Sequence, residues 1–168
     1  TSTAATTFTV AVTDIDEANV VAPSDSNGDT NTMAENVAND ATVGLTAVAT
    51  DADGTTNVIS YTVTAQSCTS VFAVGSSTGI VTVADNSAID YETAQTCTVA
   101  VTATSTDTST AVTTFTVAVT DIDEFNVGSV TDSNSGTNTM AENVANAATV
   151  GVTAVATDAD GTTNTITY

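Results

Sequence analysis

The sequence predicts an all-β protein made of seven-stranded Greek-key β-sandwiches in tandem, and three observations carry that expectation. Thr and Val, both β-branched, make up more than a third of the 168 residues, whereas only 4% are aromatic. Five segments alternate apolar and polar residues with a period of two, and none shows an amphipathic helical stripe. The chain also repeats itself without insertion or deletion, Phe8 and Phe115 standing 107 residues apart, as do Met33 and Met140.

The repeat sets the organisation. TTFTVAVTDIDE runs from Thr6 to Glu17 and again from Thr113 to Glu124, and ATDADGTTN starts at Ala49 and at Ala156. Over the 61 overlapping positions there are 12 mismatches, most of them between Ala18 and Asp29. Residues 1–17 are therefore expected to be the last strand of one repeat, 18–124 a complete repeat, and 125–168 the first strands of a third. The start at Thr1 and the missing counterpart of Gln66 to Asp107 suggest a polypeptide continuing in both directions.

In chain order, the complete repeat should open with a short strand near Val20. Thr42–Thr50, Val58–Thr64, a short strand near Phe72, Ile80–Val83, Cys97–Thr104 and Thr113–Thr120 follow, putting Val, Leu, Ile, Tyr or Phe on one face and mostly Thr on the other. Gly44, Gly75 and Gly79 and the Asp/Asn/Gly-rich stretches should supply the turns. The expected core is Val and Ala with single aromatics at Tyr61, Phe72 and Phe115. So little buried area per residue makes cross-links matter. Cys68 and Cys97 are too few for a zinc site and suit one disulfide, which implies an oxidising, extracytoplasmic setting; the alternative is a pair of buried free thiols.

Charge narrows the function. Twenty acids and no Lys, Arg or His give a formal charge of −20. Without those bases there is no Ser-His-Asp or Cys-His catalysis, no His-ligated zinc and no phosphate-gripping lysine. Nucleic acid and anionic membranes, which are bound through Lys and Arg, are excluded as partners. No apolar run is long enough to insert into a membrane, and no basic-headed signal peptide is present.

The acids fall in clusters: Glu35 in MAEN, Asp51 and Asp53 in DADG, Asp90 and Glu92 in IDYE, and Asp121, Asp123 and Glu124 in DIDE. Asp14, Asp16, Glu17, Glu142, Asp158 and Asp160 are their equivalents. Carboxylates two apart without counter-charge favour a hard divalent cation, and calcium, which takes six to eight oxygens, suits these loops better than magnesium. An EF-hand is excluded because DADG lacks the flanking helices and the terminal bidentate Glu. The Asp90/Glu92 pair lacks the aromatic platform of a glycosidase, and the chain is expected not to be an enzyme. Asp25, Asp29, Asp40, Asp85 and Asp132 read as solvated loop residues. With no N-x-S/T sequon, the Thr- and Ser-rich surface offers acceptors only for O-linked sugars.

The order EN, ATDADGxxN, TGIVTV, DYE, TVAV and TFTVAVTDIDE resembles a cadherin repeat over essentially all of Ala18 to Glu124. That resemblance implies cadherin- or immunoglobulin-like sandwiches joined end to end, with about three calcium ions per junction. It assigns one nearly complete junction to Glu35, Asp90, Glu92, Asp121, Asp123, Glu124, the carbonyl near Asn126, Asp158, Asp160 and Asn164. An earlier junction holds Asp14, Asp16, Glu17, Asn19, Asp51, Asp53 and Asn57, with Asp107 or Ser105 at the late-strand position. The linker departs from the family's D-x-N-D-N, reading D-I-D-E followed by Ala18 or Phe125 and then Asn. The resemblance implies an extracellular or cell-surface, calcium-stiffened segment of a fibre or adhesin stalk, partnered by neighbouring identical repeats. The alternative it implies is a homophilic or ligand-binding adhesion module.

Overall fold

The computed structural model describes residues 1–162 and 164–168. Eight strands lie between residues 18 and 124. One sheet runs β1 (Ser24–Asp25), β3 (Thr42–Val48), β6 (Ile80–Val83), β5 (Phe72–Val74). The other runs β2 (Thr32–Ala34), β8 (Thr110–Thr120), β7 (Thr96–Ser105), β4 (Ile59–Gln66). The expected alternation lies at the centre of both sheets: β3 buries Val43, Leu45 and Ala47, and β7 buries Cys97, Val99, Val101 and Ala103.

The opening of the repeat departs from the expectation of seven strands. Val20 is buried but forms no ladder, and the opening strand comes later, in two pieces on different sheets. β1 pairs antiparallel with β3, whereas β2 pairs parallel with β8, Met33 opposite Val119. Side-chain turns make the crossing: Asp25 Oδ1 accepts from the Asn27 and Thr46 amides, and Asn27 Oδ1 from the Asp29 amide. Gly44 lies inside β3 rather than in a turn. Its φ of 78° and the Thr30 carbonyl against it leave no room for a Cβ, so the crossing segment can press onto β3.

Val43, Leu45, Val71, Val81, Val83, Val99, Val101 and Val117 form the dry centre between the sheets. The Tyr61 hydroxyl accepts from the Ala49 amide at 2.9 Å and ties β4 to the end of β3. Cys68 and Cys97 are joined, their Cα atoms 5.5 Å apart and 29 residues apart in sequence. Closing such a loop in the unfolded chain contributes about 3 to 4 kcal/mol in the chain-entropy model, a large share for a core of small residues.

Outside this sandwich the same motifs are barely folded. Residues 1–17 form no strand among the described residues, and β8 fills the place between β2 and β7. In the C-terminal stretch, β9 (Thr131–Asp132) and β10 (Ala154–Val155) pair in the register of β1 and β3, Val155 opposite Thr131 as Val48 is opposite Ser24. No helix is long and apolar enough to cross a membrane among the described residues.

Candidate metal centre

The later junction is built from four segments that the fold brings to one end of the sandwich. Glu35 follows β2 and is buried, yet it is not an idle charge. Its Oε1 accepts from the Ile122 amide at 2.7 Å and its Oε2 from the Tyr91 amide at 2.8 Å, so one carboxylate pins both the linker and the IDYE loop. Asp121 leaves the end of β8, and Glu92 and Glu124 arrive from the two pinned segments. Oxygens of Glu35, Glu92, Asp121 and Glu124 all lie within 4.8 Å of one another.

The following unit enters through its DADG loop. Asp160 is buried, and its Oδ2 accepts from the Glu124 amide at 3.0 Å and more weakly from the Phe125 amide at 3.5 Å. Its own amide donates to Asp158 Oδ1 at 3.2 Å, and the Thr162 hydroxyl donates to Asp121 Oδ2. Gly161 lies against Glu92 and the Tyr91 ring, where a Cβ would collide.

The electrostatics follow from this crowding. Although Glu92, Asp123 and Glu124 are exposed, partial loss of hydration among the packed acids pushes Glu124 up to about 6, helped by the neighbouring Glu35, Glu92 and Asp160. Glu92 is raised by the same loss of hydration first and then by the charges of Glu35 and Asp121. Asp123 is raised by it too, and by the charges of Asp160, Asp158 and Asp121. Asp90 is lowered instead, because the Thr93 hydroxyl and amide donate to it at 2.9 and 3.1 Å. It lines the same cavity, of about 490 Å³, as Glu35, Glu92 and Glu124, but it stands outside the four-carboxylate cluster. Asn126 lines a separate cavity with Asp123 and Asp158, and Asn164 is exposed.

The earlier junction repeats the same contacts. The Glu17 amide donates to Asp53 Oδ2 at 3.0 Å, the Asp53 amide to Asp51 Oδ1 at 3.1 Å, and the Thr55 hydroxyl to Asp14 Oδ2. The Asn57 side chain donates to the Asp53 carbonyl at 2.8 Å, and Asn19 is exposed. Partial loss of hydration raises Asp16, and the charges of Asp107, Asp53 and Asp51 raise it further. The other late-strand candidate, Ser105, is occupied elsewhere, its hydroxyl donating to the Thr56 carbonyl at 2.8 Å. Glu142, the equivalent of Glu35, is exposed and joins no cluster among the described residues.

The donor set fits a hard cation. Asp121 Oδ1, Asp51 Oδ2 and Asp107 Oδ2 are buried and make no hydrogen bond among the described residues, and the chain has no Lys, Arg or His to face them. The candidate ligands at the junction are carboxylate, side-chain amide and carbonyl oxygens, the set that calcium takes. The sequence reading missed Thr55 and Thr162, although the recurrence of DADGTT was the signal that would have found them.

A family model described as the cadherin domain matches residues 29–120. No curated protein matches the chain. Among solved structures, the chain resembles protocadherin gamma B2 extracellular cadherin domains 3–6, at 21% identity and a TM-score of 0.67, with 89% of this chain and 37% of that one covered. A protocadherin gammaB7 EC3–6 cis-dimer structure aligns at 22% identity and a TM-score of 0.64, covering 93% and 38%. Mouse cadherin-23 EC22–24 aligns at 22% and 0.60, covering 89% and 46%. The chain thus spans less than half the length of each of these structures.

Proposed function

This chain belongs to the cadherin family, and on that premise we propose that it is a non-catalytic, extracellular segment of a tandem-repeat fibre or adhesin stalk that calcium stiffens at each junction. One observation carries the proposal. The same contacts, from the Glu17 amide to Asp53 and from the Glu124 amide to Asp160, recur at 3.0 Å with a 36-residue separation at two junctions of one chain. The same contacts recurring between near-identical units are what a repeating spacer needs.

Calcium supplies what the junction lacks. Glu35, Glu92, Asp121 and Glu124 come from three segments of the complete repeat and its linker, and Asp158 and Asp160 from the next unit. Ions shared among them, about three per junction, hold linker and neighbours in one geometry, while the bare junction splays by like-charge repulsion. The ligand set we assign to the later junction is Glu35, Asp90, Glu92, Asp121, Asp123, Glu124, the Asn126 carbonyl, Asp158, Asp160 and Asn164. To the earlier one we assign Asp14, Asp16, Glu17, Asn19, Asp51, Asp53, Asn57 and Asp107, and to a junction after the third unit Glu142.

Metal analysis together with small-angle scattering before and after chelation tests this. The expected result is several calcium ions per chain, a longer maximum dimension with calcium, and a lower melting temperature with EGTA. A melting temperature and scattering profile indifferent to chelation overturn the proposal. A second reading, pairing between copies of the chain, is favoured by the cis-dimer named for the gammaB7 structure. The variable stretch from Ala18 to Asp29 is where its specificity would lie, and a calcium-loaded chain that sediments as a dimer would favour it.

A further inference from the structure

The two linkers share TTFTVAVTDIDE and the same contacts to DADGTT, so, apart from the acids each junction draws from its preceding unit, a difference in how they hold an ion must come from the residues around them. The first position at which they differ is the one directly after the acids, Ala18 in the earlier linker and Phe125 in the later one. We infer that Phe125 is a lid over the carboxylate cluster of the later junction, excluding water from the ion and slowing its release, and that a linker with Ala at this position holds calcium more loosely. The inference rests on the calcium reading above and adds to it a grading of junctions along one chain.

The geometry supports the lid. Phe125 lines the same cavity of about 490 Å³ as Glu35, Glu92 and Glu124, with Ile89 and Ala159 as its other apolar walls. Its amide meets Asp160 Oδ2 at 3.5 Å, which fixes its backbone beside the acids instead of leaving it on a free loop. Phe125 is 48% exposed and belongs to no packed core. Ile89, by contrast, is buried at the edge of the sandwich and gives the cavity a rigid apolar wall. An apolar shell of this kind governs water access and local dielectric at a metal site, and a junction ion with fewer waters is held more firmly by the same carboxylates. Ala18 offers a single methyl where Phe125 offers a ring.

Terbium, which takes calcium's oxygen ligands and whose luminescence lifetime in H₂O and D₂O counts bound waters, gives a direct readout on the full 168-residue chain. Tyr91, which adjoins Gly161 and Glu92 in the site, serves as the sensitiser. Phe125→Ala should raise the mean number of waters per junction ion. It should also speed chelator-driven calcium release by roughly tenfold, the scale of losses around metal sites when their surroundings are altered. Phe125→Leu should restore most of both. Because the ring is half exposed, the metal-free circular dichroism spectrum should not change. Unchanged water count and release rate in Phe125→Ala overturn the lid while leaving the calcium reading intact. Absence of any Tyr-sensitised terbium signal in the unsubstituted chain overturns both.

Discussion

The twelve residues TTFTVAVTDIDE meet two fates in one molecule. At Thr113–Glu124 they make most of β8, with Val117 fully buried and Val119 4% exposed. At Thr6–Glu17 the same residues form no strand, and Val10 and Val12 are 83% and 92% exposed. MAENVAN repeats the lesson, with Met33 at 4% and Met140 at 66%. Alternation therefore prepares a segment for a sheet but does not fold it. What folds it is the opposing strand and the second layer, here β7, β2 and the β3/β6 sheet, because strand propensity is largely side-chain packing under another name.

The most forceful way to break the comparison is to make one substitution in each copy. Met33→Ala removes a buried core side chain of β2, opposite Val119 of β8, and should cost about 2 to 5 kcal/mol in a denaturant melt. Met140→Ala should stay within about 0.5 kcal/mol, the range of surface changes. Equal losses at both positions would mean that the C-terminal stretch packs as the complete repeat does.

Glu35 and Glu142 give a smaller but chemically sharper contrast. Removing the Glu35 carboxylate strands the Ile122 and Tyr91 amides. Glu35→Ala should therefore cost about 1 to 3 kcal/mol without calcium, and should also lower calcium uptake by the later junction. Glu142→Ala should change neither melt nor uptake. A Glu35→Ala chain with full stability and full calcium stoichiometry would separate this carboxylate from both roles.

The same contrast explains how much the sequence could tell. β3, β4, β6, β7 and β8 were legible because each alternates and each finds its partners within the chain. The split opening strand was not, since β2 owes its existence to a parallel pairing with residues 86 positions later, Thr32 opposite Ala118, rather than to its own pattern. The motif acids Glu35, Glu92, Asp121 and Glu124 were legible as a group, Glu35, Asp121 and Glu124 because they recur in the repeat and Glu92 because it sits in the DYE motif, and the fold brings them together. Asp107 was harder to read than Ser105, because the turn between β7 and β8 decides their contacts: Asp107 Oδ1 accepts from the Ser109 amide, and the Ser105 hydroxyl donates to the Thr56 carbonyl. Asp90 is the converse case, a motif acid whose oxygens are taken up by Thr93, which spacing alone does not reveal.

Acidity offers the finest test, because it acts with opposite sign on the bare and the calcium-loaded junction. Without calcium, Glu124 titrates at about 6 in the folded chain, and Glu92, Asp123 and Asp16 are also raised. The folded junction thus binds protons more tightly than the unfolded chain, so its stability increases as pH falls through about 6 and is lost as pH rises through it. Further acidification reverses the trend. Asp53, Asp85, Asp90 and Asp132 are lowered by the hydrogen bonds they accept, and the stability they contribute above their ordinary range is lost as pH falls through their folded values. The chelated chain should therefore melt at a higher temperature near pH 5 than near pH 7.5 and decline again below about pH 4. With saturating calcium the order should invert, since protons then compete with the ion for the same oxygens. A chelated chain that melts at a lower temperature near pH 5 than near pH 7.5 would show that the junction acids are solvated rather than crowded, which would undo the electrostatic basis for calcium at the junction.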